Sequence, residues 1–304
     1  MSAAAGEAKS VDLSNIDPAH RAAILIEALP YIQEFAGRIV VVKLGGNAMV
    51  DDALAESFAA DIVLLRAVGL RPVVVHGGGP QIGDMMTRLG KEPEFVDGLR
   101  VTDAETLDIA RMVLGGQVNR EIVGAINRHD HLAVGLSGED AGLITATPRD
   151  PSLGFVGDVV DVDRGILDTL IDRGFIPVIS TTAADASGQA YNVNADSAAI
   201  AIAEALSAEK LIYLTDVAGV LTDVADPTSL ISRLSATRAR LLIADGVVAG
   251  GMIPKVEACL AAVGGGGVGS AHIVDGRIPH VVLLELLTDA GVGTMITRTD
   301  GGGS

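Results

Sequence analysis

The stretch Ile39-Val40-Val41-Val42 has no polar alternation. A β-branched run of this kind reads as a strand buried on both faces, as in a parallel sheet. It runs straight into Lys43-Leu44-Gly45-Gly46-Asn47. A lysine at the end of a buried strand is unfavourable unless it meets negative charge. Two glycines let the backbone turn tightly or come close to a ligand. The design recurs at Val73-Val74-Val75, which leads into His76-Gly77-Gly78-Gly79-Pro80. Two buried strands, each opening into a glycine turn, predict an α/β sheet with a cradle of backbone N–H groups. Such a cradle suits a phosphate or a carboxylate.

Composition narrows the partners. The 304 residues are 49% hydrophobic and only 3% aromatic, with no Trp, so the expected core is aliphatic. The formal net charge is −17, from 39 acidic and 22 basic residues. That balance argues against nucleic acid as a general partner. An anionic ligand must then be met by a few cations focused at one place. The single cysteine, Cys259, permits neither a disulfide nor a cysteine-based metal site within the chain and fits a reducing cytoplasm. Met1 to Ser10 lacks a basic stretch followed by an apolar one, so no secretory signal is expected. No apolar run is long enough for a bilayer, and no membrane association is expected.

Along the chain, residues 1–16 read as a disordered tail. Asp17-Pro18 marks a helix start, and the stretch to Phe35 reads as a helix kinked near Pro30. This helix is apolar around much of its circumference and asks for a second partner surface. It either packs on its own domain or joins two subunits. Strand and helix then alternate, as in βαβ units. Thr102-Asp103-Ala104-Glu105 reads as a capping box for a long helix interrupted at Gly115-Gly116. Residues 154–163 read as part of a hairpin. Tyr191-Asn192-Val193-Asn194-Ala195-Asp196 leads into an Ala-rich helix. A boundary between two lobes falls just before the strand at Lys210.

Three cations stand out. Lys43 lies between a buried strand and its glycines. Lys255 follows Pro254 in the first turn of a helix, where a cation opposes the macrodipole. Arg100, beside Gly98, is either an exposed arginine or a carboxylate clamp. Asn192, Asn194 and Asp196 alternate, so an extended segment points all three to one side. Asp196 can orient a lysine, although an acid in a first helical turn also fits the dipole. Asp216 and Asp223 flank a glycine turn. His129 and His131 read as surface residues, and no metal-ligand cluster is evident. The one G-x-G-x-x-G, Gly264 to Gly269, lies in a glycine run that leads into the strand at His272, so it is not the strand-to-helix turn of a Rossmann fingerprint, and Gly90-Lys91 continues into Glu92 where a Walker motif needs Ser or Thr. Cations, glycine amides and one aspartate form the set that phosphoryl transfer asks for.

The chain resembles the amino-acid kinase family from about residue 20 onward. The likeness rests on Lys43-Leu44-Gly45-Gly46, His76-Gly77-Gly78-Gly79-Pro80, Gly98-Leu99-Arg100-Val101-Thr102, Asn192-Val193-Asn194-Ala195-Asp196, Leu214-Thr215-Asp216-Val217-Ala218-Gly219 and Gly250-Gly251-Met252-Ile253-Pro254-Lys255, in this order. It is strongest to members that phosphorylate N-acetyl-L-glutamate in arginine synthesis. The resemblance implies a three-layer αβα sandwich around a mainly parallel open sheet, in two lobes with an N-terminal extension helix. Residues 1–36 would be tail and oligomerisation helix. Residues 37–208 would hold acetylglutamate and dimerise. Residues 209–304 would hold ATP with Mg2+, the ion carried mainly by the nucleotide.

By the same resemblance Lys43 and Lys255 stabilise the phosphoryl in transit and Asp196 orients them. Gly78, Gly79, Arg100 and Asn192 contact the acceptor. Gly45, Gly46, Thr215, Asp216 and Gly219 border the nucleotide. Arginine-sensitive members carry an interlacing helix that builds a hexamer, a trimer of dimers. Tyr31, His272, Glu285 and Gly291 match their arginine site, which implies feedback inhibition by L-arginine. The competing expectations are a relative acting on aspartate, glutamate or carbamate, and a non-catalytic binding module.

Overall fold

The computed structural model describes residues 17–45, 51–289 and 291–299. The expected tail, residues 1–16, lies outside them. Two helices come first, α1 (Pro18–Glu27) and α2 (Leu29–Phe35). They part at Ala28 rather than at Pro30. Pro30 sits in the first turn of α2, where its missing N–H has no partner to lose. Asp17 stands at the N-cap of α1, but its carboxylate caps no amide. Then follow β1 (Ile39–Leu44), α3 (Asp52–Ala67), β2 (Arg71–His76) and α4 (Gly79–Arg88). A small hairpin joins β3 (Phe95–Val96) to β4 (Leu99–Arg100).

Next come α5 (Ala104–Arg111), a π-helical turn over Met112–Val118 and α6 (Asn119–His129), which run on as one long helix. Its cap lies one residue beyond the expected box. Asp103 accepts the Thr106 amide, while the buried Thr102 hydroxyl donates to the Arg100 carbonyl at 2.8 Å. The chain goes on through β5 (Ala133–Ser137), β6 (Ile144–Pro148), β7 (Val156–Val162), α7 (Gly165–Asp172), β8 (Ile176–Ser180), β9 (Thr182–Ala184), β10 (Ala190–Val193) and α8 (Ala195–Ala205). It ends with β11 (Lys210–Thr215), β12 (Arg233–Ser235), α9 (Ala236–Ala244), α10 (Met252–Gly264), β13 (Ser270–Asp275), α11 (Val281–Leu286) and β14 (Thr294–Thr297).

Eight strands form the main sheet in the order β12-β14-β13-β11-β1-β2-β8-β5. All neighbours are parallel except β13 and β14. β11 pairs with β1, so the sheet runs unbroken across the expected lobe boundary. Strand alternation sends Val41, Val73, Leu211 and Ile273 into one helical layer, with α7, α8, α9 and α10. Val40, Val42, Val74 and Ile212 face the other, with α2, α3, α6 and α11. Three layers result. The hairpin expected within 154–163 belongs to a larger unit: β6, β7, β9 and β10 close a small barrel. α1 contributes no buried residue, and Ile24, Leu25 and Ile26 are 57%, 73% and 66% exposed.

Candidate active site

Ligands in open α/β sheets lie beyond the carboxyl ends of the strands. β1, β2 and β11 end together here, and two cavities open over them, both lined by Lys43. Register explains where Lys43 points. It pairs with Val75 and Tyr213, on the face shared with Val41 and the layer of α8 and α10. Those helices present their first turns there. Asp196 sits in the first turn of α8 and Lys255 in that of α10. The smaller cavity, about 100 Å³, is lined by Lys43, Asp196, Tyr213, Thr215, Asp216 and Lys255.

Lys43 Nζ lies 2.9 Å from Asp196 Oδ1. The contact is an ion pair without hydrogen-bond alignment, since Oδ1 is buried and accepts no aligned donor. Asn194 does not line up with Asp196 in an extended segment, as the alternation suggested. It caps α8, accepting the Asp196 and Ser197 amides at 2.9 and 3.1 Å. Among the described residues Lys255 has no carboxylate within ion-pair distance. Two ammonium groups therefore share one close carboxylate, and Asp216 is the second acid of the cavity.

The larger cavity, about 230 Å³, is bordered by Gly45, Gly78, Gly79, Arg100, Asn192 and Lys43. Arg100 is no surface arginine: it is only 8% exposed. Its guanidinium donates to the Gly79 carbonyl at 2.9 Å and stacks over the Phe95 ring at 4.7 Å. Burial lowers its pKa. Among the described residues it has no carboxylate partner. A buried guanidinium without an anion is unfavourable, and a ligand carboxylate relieves it. Gly78 caps α4 with no side chain to occupy the first amides, which leaves a helix N-terminus facing the same cavity.

The glycine turn is braced from below. His76 Nδ1–H donates to the Gly77 carbonyl at 2.8 Å, and Nε2 accepts from Asn119 Nδ2 at 3.0 Å. Asn119 Nδ2 also donates to the Val178 carbonyl at 2.9 Å. Burial drops the His76 pKa to about 4, so the ring is neutral and its tautomer is set by these partners. A Cβ on Gly78 would fall 2.6 Å from Leu114 Cδ2, so a side chain here displaces either the buried Leu114 or the turn.

The other expected residues divide. Thr215 and Asp216 line the smaller cavity, but the Thr215 hydroxyl is taken up within its own turn, donating to Val217 and Val274 carbonyls at 3.1 and 3.3 Å. Gly219, at φ 140°, packs against Thr294 and Leu230. Gly46 lies outside the described residues. Tyr31, His272, Glu285 and Gly291 converge on a second place, the turn between α11 and β14. His272 Nδ1–H donates to Glu285 Oε1 at 2.6 Å, and Ser270 Oγ sits 2.9 Å from His272 Nε2. Glu285 Oε2 accepts the Val292 and Gly293 amides at 2.8 and 3.0 Å. Burial lowers the His272 pKa, and the hydrogen bond to Glu285 offsets part of that. Burial also works against the Glu285 carboxylate, but the His272 hydrogen bond and charge and the two amides outweigh it, so the Glu285 pKa is lowered. Gly291 stands where a Cβ would meet Glu285 Oε2 at 2.9 Å, and the Tyr31 hydroxyl donates to Asp289.

Four residues at these places escaped the sequence reading: Tyr213, Asn119, Lys210 and Asp289. Tyr213 had a signal, as one of three tyrosines in the chain and the one polar tip in Leu211-Ile212-Tyr213-Leu214. Asn119 and Asp289 had none, because their partners lie 43 and 258 positions away. Lys210, held over the Phe35 ring at 4.7 Å, passed as an ordinary strand-end lysine.

An αβα frame with two cavities at its strand ends, both lined by Lys43, suits phosphate and carboxylate ligands. A model of the amino acid kinase family matches residues 38–275, and the chain belongs to that family. Among curated relatives, the acetylglutamate kinase of Nostoc punctiforme is 57% identical over 279 residues, covering 91% of this chain and 93% of the relative. That of Trichodesmium erythraeum is 55% identical over 289 residues, covering 95% and 99%. Among solved structures, the N-acetylglutamate synthase of Neisseria gonorrhoeae with coenzyme A and N-acetyl-glutamate superposes with a TM-score of 0.81 at 28% identity. It covers 92% of this chain, which spans 64% of that protein. The same synthase with coenzyme A and L-arginine gives 0.76 at 27% identity, covering 91% of this chain and 65% of that one.

Proposed function

We propose that the chain transfers the γ-phosphoryl group of ATP to the side-chain carboxylate of N-acetyl-L-glutamate, in arginine synthesis. The observation that carries this reading is Lys43 lining both cavities, with Arg100 in one and Lys255 in the other. The acceptor's α-carboxylate pairs with Arg100, and Asn192 and the Gly78-Gly79 turn hold the rest. Its side-chain carboxylate is already ionised at neutral pH, so no proton has to be removed. A carboxylate oxygen attacks phosphorus, the bond to the β–γ bridging oxygen breaks, and ADP leaves with N-acetyl-L-glutamyl 5-phosphate.

Charge on the phosphoryl oxygens is met by Lys43 from β1 and Lys255 from α10, with Asp196 holding the ammonium groups in place. Gly45, Thr215, Asp216 and Gly219 border the nucleotide. ATP brings Mg2+ on its own phosphate oxygens, hard donors suited to that ion. In this reading residues 37–208 form the acceptor lobe and 209–304 the nucleotide lobe. The test is ADP formation with acetylglutamate in wild type and Lys43→Ala. Loss of one such cation is expected to lower kcat by about 10²–10³-fold. Undiminished turnover in the mutant overturns the role of Lys43. A wild type that prefers aspartate, glutamate or carbamate overturns the acceptor.

Regulation by L-arginine belongs to the same proposal. What supports it is the convergence of Tyr31, His272, Glu285 and Gly291 on one turn, with a buried carboxylate suited to a guanidinium. The apolar face of α1 supports a higher homo-oligomer, a hexamer, in which this helix meets a second subunit.

A further inference from the structure

Two buried side-chain oxygens near the site lack an aligned hydrogen-bond partner in the protein: the Tyr213 hydroxyl and Asp196 Oδ1. Both residues line the cavity of about 100 Å³. Tyr213 is 3% exposed, and its register with Lys43 sends its ring to the same face of the sheet. The groups around it are Lys43 of β1, Asp196 and Glu204 of α8, Lys255 and Cys259 of α10, and Asp216 at the end of β11. Burial first, then Cys259, Asp196 and Glu204, push its pKa well above 10, so the phenol stays an O–H donor. Buried hydroxyls are paired as a rule, and one left without a partner is worse than phenylalanine in the same place.

Asp196 needs what Tyr213 offers. Its ion pair with Lys43 is not aligned, and an unaligned ion pair leaves the carboxylate free to turn. A polar cavity above about 10–15 Å³ can hold a water, and this one is larger. We infer that Tyr213 is a positioning residue: its hydroxyl donates, through a water held in this cavity, to Asp196 and fixes the carboxylate between Lys43 and Lys255. The inference rests on the reading of Asp196 as the group that organises the two lysines. Substrate contacts at Arg100 and the glycine turns do not depend on it. Its effect therefore falls on kcat rather than on either KM.

The experiment is Tyr213→Phe, an isostere that removes only the hydroxyl, with Asp196→Asn in parallel. Steady-state kinetics and Tm are read on each. A hydrogen bond to a charged group predicts a fall in kcat of about 10- to 100-fold for Tyr213→Phe. Both KM values are expected to stay within about twofold. Unchanged kcat with a raised Tm means an unpaired core hydroxyl and overturns the proposal. A lowered Tm with kcat and both KM values moving together means a packing role and overturns it as well. Full turnover in Asp196→Asn overturns the underlying reading of Asp196 instead, whatever Tyr213→Phe does.

Discussion

His76 and Asp61 are both buried, and they titrate in opposite directions. Burial lowers the His76 pKa from 6.5 to about 4. Between those values the unfolded chain binds a proton that the folded chain excludes. Stability from this residue is whole above pH 6.5 and is lost as pH falls toward 4, by about 3 kcal/mol. Burial raises Asp61 from 3.8 to about 6, against a 2.7 Å hydrogen bond from His280 Nδ1. Here the folded chain takes up the proton first, and stability returns as pH falls from 6 to 3.8. Below pH 6 the two terms nearly cancel. Asp61→Asn keeps an acceptor for His280 and removes the compensation. Its Tm is expected to fall more steeply than wild type between pH 6 and 4, and parallel slopes overturn this account. Lys43, Lys255 and Asp196 were legible because each is a charge in a locally demanding place, a strand end or a first helical turn. Tyr213 and Asn119 were not, because register and long-range hydrogen bonds supply their meaning.

At the scale of elements, the π-helical turn over Met112–Val118 borders the larger cavity through Leu114. Gly115 and Gly116 were legible as an interruption, but not as a widened turn whose Leu114 and Val118 side chains press on Gly78. Gly78 has φ 170°, an extended value open to any residue, so space alone opposes a side chain. In Gly78→Ala the new methyl meets Leu114 Cδ2 at 2.6 Å and Val118 Cγ2 at 3.3 Å, and both residues are buried. Relief requires Leu114 or the glycine turn to shift, at about 1–3 kcal/mol for overpacking. The KM for acetylglutamate is expected to rise about tenfold while that for ATP holds, as for a loss of ground-state acceptor binding. Equal KM values in mutant and wild type overturn the role given to this contact. Strands and helices were legible from their buried runs and breakers. The barrel of β6, β7, β9 and β10 was not, since pairs such as Asn192 with Val156 have no local signature.

At the scale of the molecule, α1 is an apolar helix with no buried residue, whereas α2 is anchored by Phe35 at 5% exposure. A truncation that tests oligomerisation should therefore end at Glu27 and leave Tyr31 and Phe35 in place. Removing residues 1–27 is expected to reduce the oligomer mass seen by light scattering, to preserve ADP formation and to raise the arginine concentration for half inhibition about tenfold or more, in the range of ordinary coupling energies. Unchanged mass, or unchanged arginine sensitivity, overturns the role of α1. The strands themselves separate the two sites. Ala271 and Ile273 of β13 face the layer of α8 and α10, whereas Val274 joins the layer of α11 and His272 hydrogen-bonds its Glu285. The sheet thus acts as a partition, with the cavity of Lys43, Asp196 and Lys255 on one side and the Glu285 turn on the other. Under the regulation proposed above, substitutions confined to the α11 side are expected to change the response to arginine while ADP formation is kept.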